Sequence, residues 1–190
     1  MGKGKLLIVS GLSGAGKGTI CKRLIEKYPE FVLSVSATDR SPRTGEVHGR
    51  EYFFLSTEEF EEKIRQGDLL EYARYVDHYY GTPKSWVEEQ MDAGKNVILE
   101  IEIQGAFQVR KIIPEALLIF IMPPSMEELE RRLRGRGTET EEQILKRLQR
   151  AEEETAFVDR YDHVIVNEEV EKSVDMLYDI VQCEKRKTGE

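Results

Sequence analysis

Gly11-Leu12-Ser13-Gly14-Ala15-Gly16-Lys17-Gly18-Thr19 stands between an apolar run, Leu6-Leu7-Ile8-Val9, and a segment carrying Ile20, Leu24 and Tyr28 at helical spacing. Apolar strand, glycine-rich turn and helix start form the setting in which a phosphate-binding loop works. Glycines let successive backbone N–H groups curl around an anion, and the new helix adds the positive end of its dipole. Lys17 supplies a mobile charge for the outer phosphates. A purely structural turn would need the glycines but not the lysine. Gly18 stands where Ser or Thr follows the lysine in the strict pattern, and the hydroxyl is displaced to Thr19. Thr19 or a water is expected to take over that hydroxyl's part.

Outward from this loop the chain alternates short apolar runs with helical periods. Predicted core strands are Leu6–Ser10, Val32–Ser36, Val97–Ile101, Leu117–Ile121 and Val164–Val166. Runs with no polar alternate face predict strands covered on both sides, hence a five-stranded parallel sheet in a three-layer α/β fold. Ser56-Thr57-Glu58-Glu59 reads as a capping box opening a helix with Phe60 and Ile64 on one face. A second helix, Lys84–Ala93, ends at Gly94. Ser125 caps a third with Met126, Leu129 and Leu133, and a fourth runs from Thr140 to about Phe157. Val170, Val174, Leu177 and Val181 mark a fifth. The acidic runs Glu58–Glu62 and Glu152–Glu154 read as solvated helix faces. Two stretches interrupt the rhythm: residues 37–83, short strands around one helix, and residues 135–140, a turn expected to move. Ligands of such sheets lie beyond the carboxyl ends of the strands, on the side of the Gly11 loop.

The length of 190 residues fits one domain with room for a full core. A net charge of −8, from 28 Lys+Arg against 36 Asp+Glu, argues against a nucleic-acid duplex or a membrane surface as partner. Local arginines can still dominate within a Debye length of about 10 Å, so anionic ligands remain open. Cys21 and Cys183 are far apart and read as thiols. His48, His78 and His163 show no metal-ligand spacing, and no apolar run approaches a membrane span. The expectation is a reduced, cytoplasmic protein.

Residues 37–83 hold a second candidate anion site. Arg40 and Arg43 sit on a loop stiffened by Pro42 and Gly45, with Tyr52 following. Two guanidinium groups and a phenol suit a phosphate monoester. The competing reading is a solvated basic loop in which Asp39 pairs with Arg40 or Arg43. Glu71 lies in an apolar context, Leu69-Leu70-Glu71-Tyr72-Ala73, with Tyr79-Tyr80-Gly81-Thr82 close behind. A carboxylate in an aromatic pocket wants two donors in a row, which the N1–H and exocyclic amine of guanine supply. Adenine presents an acceptor at N1, a mismatch able to discriminate by roughly 10⁴-fold. The alternative for Glu71 is an exposed charge on an edge strand.

With a triphosphate site and a monophosphate site both in view, the chain resembles the guanylate kinases over essentially all its length. The motifs carrying the resemblance are Ser10 to Thr19, Arg40-Ser-Pro-Arg43-Thr-Gly-Glu-Val with Gly49-Arg-Glu-Tyr52-Phe-Phe, Tyr79-Tyr80-Gly81, Leu99-Glu-Ile-Glu-Ile-Gln-Gly-Ala, Arg132-Leu-Arg-Gly-Arg136-Gly-Thr and Val164-Ile-Val-Asn167. The resemblance implies an ATP:GMP phosphotransferase of the P-loop fold with Mg²⁺ as cofactor and ATP as co-substrate. It implies a single domain with its core in residues 1–36, 84–127 and 151–190, an inserted GMP-binding subdomain at 37–83 and a mobile lid at 128–150. Gly11, Leu12, Ser13, Gly14, Ala15, Gly16, Lys17, Gly18, Thr19 and Asn167 would bind ATP. Ser36, Glu71 and Thr82 would face the guanine, Arg40, Arg43, Tyr52 and Tyr80 the GMP phosphate, and Glu102 would complete the GMP site with a reach toward either guanine or metal. Lys17, Arg40, Arg43, Arg132, Arg136 and Arg147 would carry the catalysis.

No direct metal ligand follows from the resemblance. Glu100 and Glu102 would organise either the metal's waters or the arginines. Asp39 replaces a usual threonine, from where it would temper the charge of Arg40. Glu102 replaces a usual aspartate and Leu12 a common proline. Arg132 also lies four residues after Glu128, the spacing of an ordinary helix ion pair. No general base is needed, because a phosphate monoester has its second pKa near 6 and is largely dianionic at neutral pH. Two alternatives stay open: a kinase for another nucleoside monophosphate, and a non-catalytic interaction module built on the same fold.

Overall fold

The computed structural model describes residues 2–135, 137 and 139–187. In chain order the elements are β1 (Leu6–Gly11), α1 (Lys17–Lys27), β2 (Phe31–Leu33), β3 (Ala37–Thr38), β4 (Phe53–Phe54), α2 (Thr57–Gln66), β5 (Leu69–Tyr75), β6 (His78–Pro83), α3 (Lys84–Asp92) and β7 (Asn96–Glu100). There follow α4 (Ile103–Ile112), β8 (Leu117–Met122), α5 (Met126–Gly135), α6 (Glu141–Thr155), β9 (His163–Val166) and α7 (Val170–Lys187). Five strands form a parallel sheet in the order β2-β7-β1-β8-β9. Leu7, Ile8, Val9, Ile98, Leu99, Phe120 and Ile121 are wholly buried in it. That burial on both faces is what the unbroken apolar runs require. Each such side chain contributes about 1.5–3 kcal/mol by leaving water.

Connectivity fixes where the loop falls. From β1 the chain steps to β2 on one side and returns through β7, then crosses to β8 and β9 on the other. The carboxyl end of β1 is therefore the switch point of the sheet, where a ligand crevice opens. Gly11, φ 147, leaves β1 there, and a Cβ on it would overlap the Ile121 carbonyl. Only glycine permits β8 to lie so close.

Residues 37–83 build a second sheet in the order β4-β3-β6-β5 with α2 across it. Phe60 of α2 is fully buried and stacks on Tyr79, ring centroids 5.1 Å apart. The Ser56 capping box forms as the sequence predicts, its hydroxyl accepting from the Glu59 N–H while the Glu59 carboxylate accepts from the Ser56 N–H. Three local expectations need correction. The strand expected over 32–36 ends at Leu33, because the chain turns from the edge of one sheet toward the other at Ala37. Helix α4 was not anticipated, since Gly105 in its first turn lowers its helix propensity. Its Gly105 earns its place by packing: a Cβ there would stand 3.4 Å from Glu71 Oε2 and from Ile101 Cδ1. Finally, Glu154 is no solvated charge, its side chain being only 16% exposed.

Candidate active site

The Gly11–Thr19 loop has the cradle geometry its sequence predicts. Gly14 (φ 99) and Gly16 (φ 97) occupy left-handed backbone, and Gly16 is the residue from which α1 springs. The side chain of Lys17 folds back over the loop, its Nζ donating to the carbonyls of Gly11 at 2.7 Å and Leu12 at 3.2 Å. Burial pushes the Lys17 pKa down, against the pull of Glu100. Asn167, at the end of β9, is 3% exposed and donates to the Ala15 carbonyl at 2.8 Å, while accepting from Ser173. The core thus holds the loop's outer edge from a residue 152 positions away in sequence, just beyond β9.

Two cavities open on either side of the loop. The larger, about 470 Å³, is lined by Gly11, Ser13, Lys17, Glu71, Glu100 and Glu102 together with Arg150 and Glu154. The smaller, about 430 Å³, has walls from Gly14, Gly16, Thr19, Arg132 and Asn167. Thr19 borders the smaller cavity and Lys17 the larger. Gly18 looks at Glu100, whose two carboxylate oxygens lie 3.5 Å from where a Cβ would be. Burial raises the Glu100 pKa and the Lys17 ammonium pulls it back. No group of three or more metal-binding side chains occurs among the described residues. One carboxylate beside a phosphate loop fits a cation carried by a nucleotide's own phosphates and water, not one caged by protein.

Of the guanine candidates, Glu71 and Glu102 line the larger cavity, whereas Ser36 and Thr82 do not. Glu71 Oε1 accepts from the hydroxyl of Thr82, itself fully buried, at 2.7 Å. Burial pushes the Glu71 carboxyl above its ordinary range, only partly offset by Thr82. It is not the exposed edge-strand charge of the competing reading. Glu102 is the residue before α4, and its carboxylate contacts Arg150. Ser36 lies between β2 and β3 with its carbonyl bound to the Phe53 N–H.

Arg40, Tyr52 and Tyr80 come together on the second sheet. The Arg40 guanidinium lies 5.5 Å from the Tyr52 ring centroid, and the Tyr52 and Tyr80 rings meet edge to face at 6.0 Å. Arg43 is exposed, and its backbone N–H binds Glu46. None of these four lines the larger cavity. Asp39 does not temper Arg40: the partner is Glu46, bidentate at 3.0 Å to both Nη atoms. Asp39 is only 4% exposed and instead accepts from the Tyr79 N–H and the Thr57 hydroxyl, with His78 Nδ1 at 3.2 Å.

Of the arginines expected in the lid, Arg132 forms the helix ion pair that its spacing allowed, with Glu128 at 2.7 Å, and reaches the Asn167 carbonyl at 2.9 Å. The Glu128 carboxyl, bonded by Arg131 and Arg132, is pulled down to about 2. Arg147 on α6 contacts Ser13 of the loop at 3.3 Å and Glu139 at 2.8 Å. Arg136 lies outside the described residues. Sequence reading passed over Arg150 and Glu154; the one signal for them was their position one and two turns beyond Arg147.

The family model described as guanylate kinase matches residues 3–184. The chain is 53% identical over 187 residues to a guanylate kinase of Clostridioides difficile, covering 98% of this chain and 91% of the relative. It is 51% identical over 183 residues to one from Caldanaerobacter subterraneus subsp. tengcongensis, covering 96% and 89%. Its fold is similar to the crystal structure of guanylate kinase from Anaplasma phagocytophilum, with TM-score 0.71, 35% identity, and coverage of 96% of this chain and 87% of that one.

Proposed function

The chain belongs to the guanylate kinase family and is an ATP:GMP phosphotransferase, and we propose that its residues divide the reaction as follows. The loop from Gly11 to Thr19 takes the ATP phosphates on its backbone N–H groups, with Lys17 on the outer ones and Asn167 holding the loop beside the adenosine. Arg40, Arg43, Tyr52 and Tyr80 take the GMP phosphate. Glu71, with Ser36, Thr82 and Glu102, reads the guanine. Arg132, Arg136 and Arg147 close on the phosphoryl group in transit. The observation that carries this division is that Glu71, aimed by Thr82, faces the same 470 Å³ cavity as Lys17.

The attacking atom is an oxygen of the GMP phosphate, already largely unprotonated at neutral pH, so no side chain has to remove a proton. Catalysis then rests on alignment and on stabilising charge as it moves between the phosphates. Mg²⁺ carried in with ATP would supply positive charge on the donor phosphates, and Glu100, facing Gly18 of the loop, is the carboxylate that would hold it there. Arg147, bonded to Ser13, is placed to follow the donor phosphates, and Arg132 ties α5 to the loop through Asn167. We further assign residues 37–83 as the GMP-binding subdomain and 128–150 as the lid. No helix among the described residues is long and apolar enough to cross a membrane. Free thiols at Cys21 and Cys183 support a cytoplasmic setting, where GDP formed from GMP feeds purine nucleotide metabolism.

A coupled assay for ADP formation with Mg²⁺, ATP and GMP, AMP or dTMP as acceptor tests the division of roles. GMP is expected to be turned over far faster than the others. Faster turnover of AMP or dTMP would refute the guanine assignment, and no turnover of any acceptor would mark a non-catalytic module.

A further inference from the structure

Arg150 spans two carboxylates at the edge of the larger cavity. Its Nη2 lies 2.9 Å from Glu102 Oε1 and its Nε donates to Glu154 Oε1 at 2.9 Å. The two anchors differ. Glu154 is 16% exposed with Oε2 buried and without a hydrogen-bond partner, whereas Glu102 is 73% exposed. Arg150 therefore runs from a fixed acid in the protein to a free-standing one over the site. We propose that Arg150, anchored by Glu154, is a positioning residue for guanine: it holds Glu102 by Oε1 and leaves Oε2 for the exocyclic amine. This rests on the reading of Glu71 and Glu102 as guanine-facing.

The donor arithmetic of guanine leads to Glu102. Its Watson–Crick edge offers N1–H and one amine hydrogen to the Glu71 carboxylate, and the second amine hydrogen needs another acceptor. Four carboxylates line the cavity: Glu71, Glu100, Glu102 and Glu154. Glu100 faces Gly18 and Lys17, and Glu154 is committed to Arg150. Glu102 remains, at the start of α4, whose Gly105 abuts Glu71. A glutamate has one more rotatable bond than an aspartate, and at this exposure nothing but Arg150 restrains it. Ordering the carboxylate before the ligand arrives spares that entropy at binding. The pair is too exposed to matter much to folding, since surface ion pairs contribute little. Its effect is in aiming.

The test compares GMP with inosine monophosphate, which keeps N1–H and lacks the 2-amino group. Arg150→Met is expected to lower the GMP-to-IMP ratio of kcat/KM about fivefold, the share of one charged hydrogen bond that loose positioning forfeits. The loss should sit in the KM for GMP; the melting temperature should also fall, because the mostly buried Glu154 loses its partner, a change that by itself leaves the GMP-to-IMP ratio untouched. Arg150→Lys, which can reach one carboxylate but not both, is expected to fall between and covers the case of a methionine variant that folds badly. In an Glu102→Asp background the shorter carboxylate no longer reaches Arg150, so Arg150→Met should change the ratio no further. An unchanged ratio in Arg150→Met, or an equal drop in both backgrounds, overturns the role of Arg150. If the unmutated enzyme shows no preference for GMP over IMP, or Glu102→Gln leaves the preference intact, it is the guanine reading of Glu102 that fails.

Discussion

Glu71→Gln separates what a buried acid does for guanine from what it does to the fold. The substitution keeps the shape, and the amide oxygen still accepts from Thr82. Burial, the largest influence on Glu71, raises its folded pKa, and the Thr82 hydrogen bonds only partly offset this. A raised folded pKa means the contribution to stability is present below the unfolded value of about 4.3 and is lost as pH rises through the folded one. At pH 7 the ionised side chain is thus a net load on the fold, and the glutamine variant should melt higher than the parent. Near pH 4 the advantage should vanish. On the proposed reading of Glu71 binding should move the other way, because the carboxylate would accept two guanine N–H groups whereas the amide would accept one and oppose the other with a donor. One charge-assisted hydrogen bond with one unsatisfied donor amounts to about 3 kcal/mol, roughly two orders of magnitude in kcat/KM for GMP. The coupled assay reads that loss, and differential scanning fluorimetry at pH 7 and pH 4 reads the stability. The parent's kcat/KM for GMP should also decline with acid at a pH above the usual glutamate range, and the variant should lack that limb. A variant that keeps GMP activity within threefold of the parent, or melts lower at pH 7, refutes the reasoning.

Gly16→Ala places a Cβ 2.5 Å from Asn167 Nδ2 at φ 97, so the loop must give up either its turn or its bond from Asn167 to Ala15. Left-handed strain costs of order 1–3 kcal/mol, and calorimetry should show ATP binding weakened at least tenfold, with GMP affinity changed less. Asp39→Ala withdraws the acceptor shared by Tyr79, Thr57 and His78 at a cost of about 2–3 kcal/mol, seen as faster amide exchange along β6. Burial works to raise the Asp39 pKa, but its hydrogen bonds outweigh that and hold it down. The stabilisation is therefore present above the unfolded pKa of about 3.9 and fades as pH falls through the folded one, so the gap in melting temperature between parent and variant should close there.

The parallel sheet, the phosphate loop and the capped helices were legible because each is written in neighbouring residues. Leu6 to Val9 needs no partner to be read as a buried strand, nor does Ser56 need one to cap α2. Arg150, Glu154 and the true partner of Arg40 were not legible, because each depends on which residues meet across elements. Asp39 sits beside Arg40 in sequence yet faces the far side of β3, toward Tyr79 and Thr57. Glu46 is six residues from Arg40 and folds back onto it. The resemblance identified Glu102 as a departure from aspartate but not the arginine 48 residues later that its extra length reaches.

If Arg40 and Arg43 take the GMP phosphate, as proposed, the pairing of Arg40 with Glu46 changes how that phosphate must be met. A bidentate pair at 3.0 Å, with side chains 12% and 18% exposed, is close to neutral as seen from the site. The guanidinium can still donate to a phosphate oxygen, but little of its net charge is left to attract a dianion. The larger cavity cannot make up the difference, since its lining sets four carboxylates against Lys17 and Arg150. We infer that the uncompensated charge at the acceptor station comes from Arg43, whose backbone N–H is fixed by the same Glu46 while its side chain stays exposed. One glutamate thereby gives the two arginines different work, Arg40 as a rigid donor packed on Tyr52 and Arg43 as the mobile positive charge. On this proposal a chain of net charge −8 meets its anionic ligands through single local cations, Lys17 in the larger cavity and Arg43 beside the second sheet.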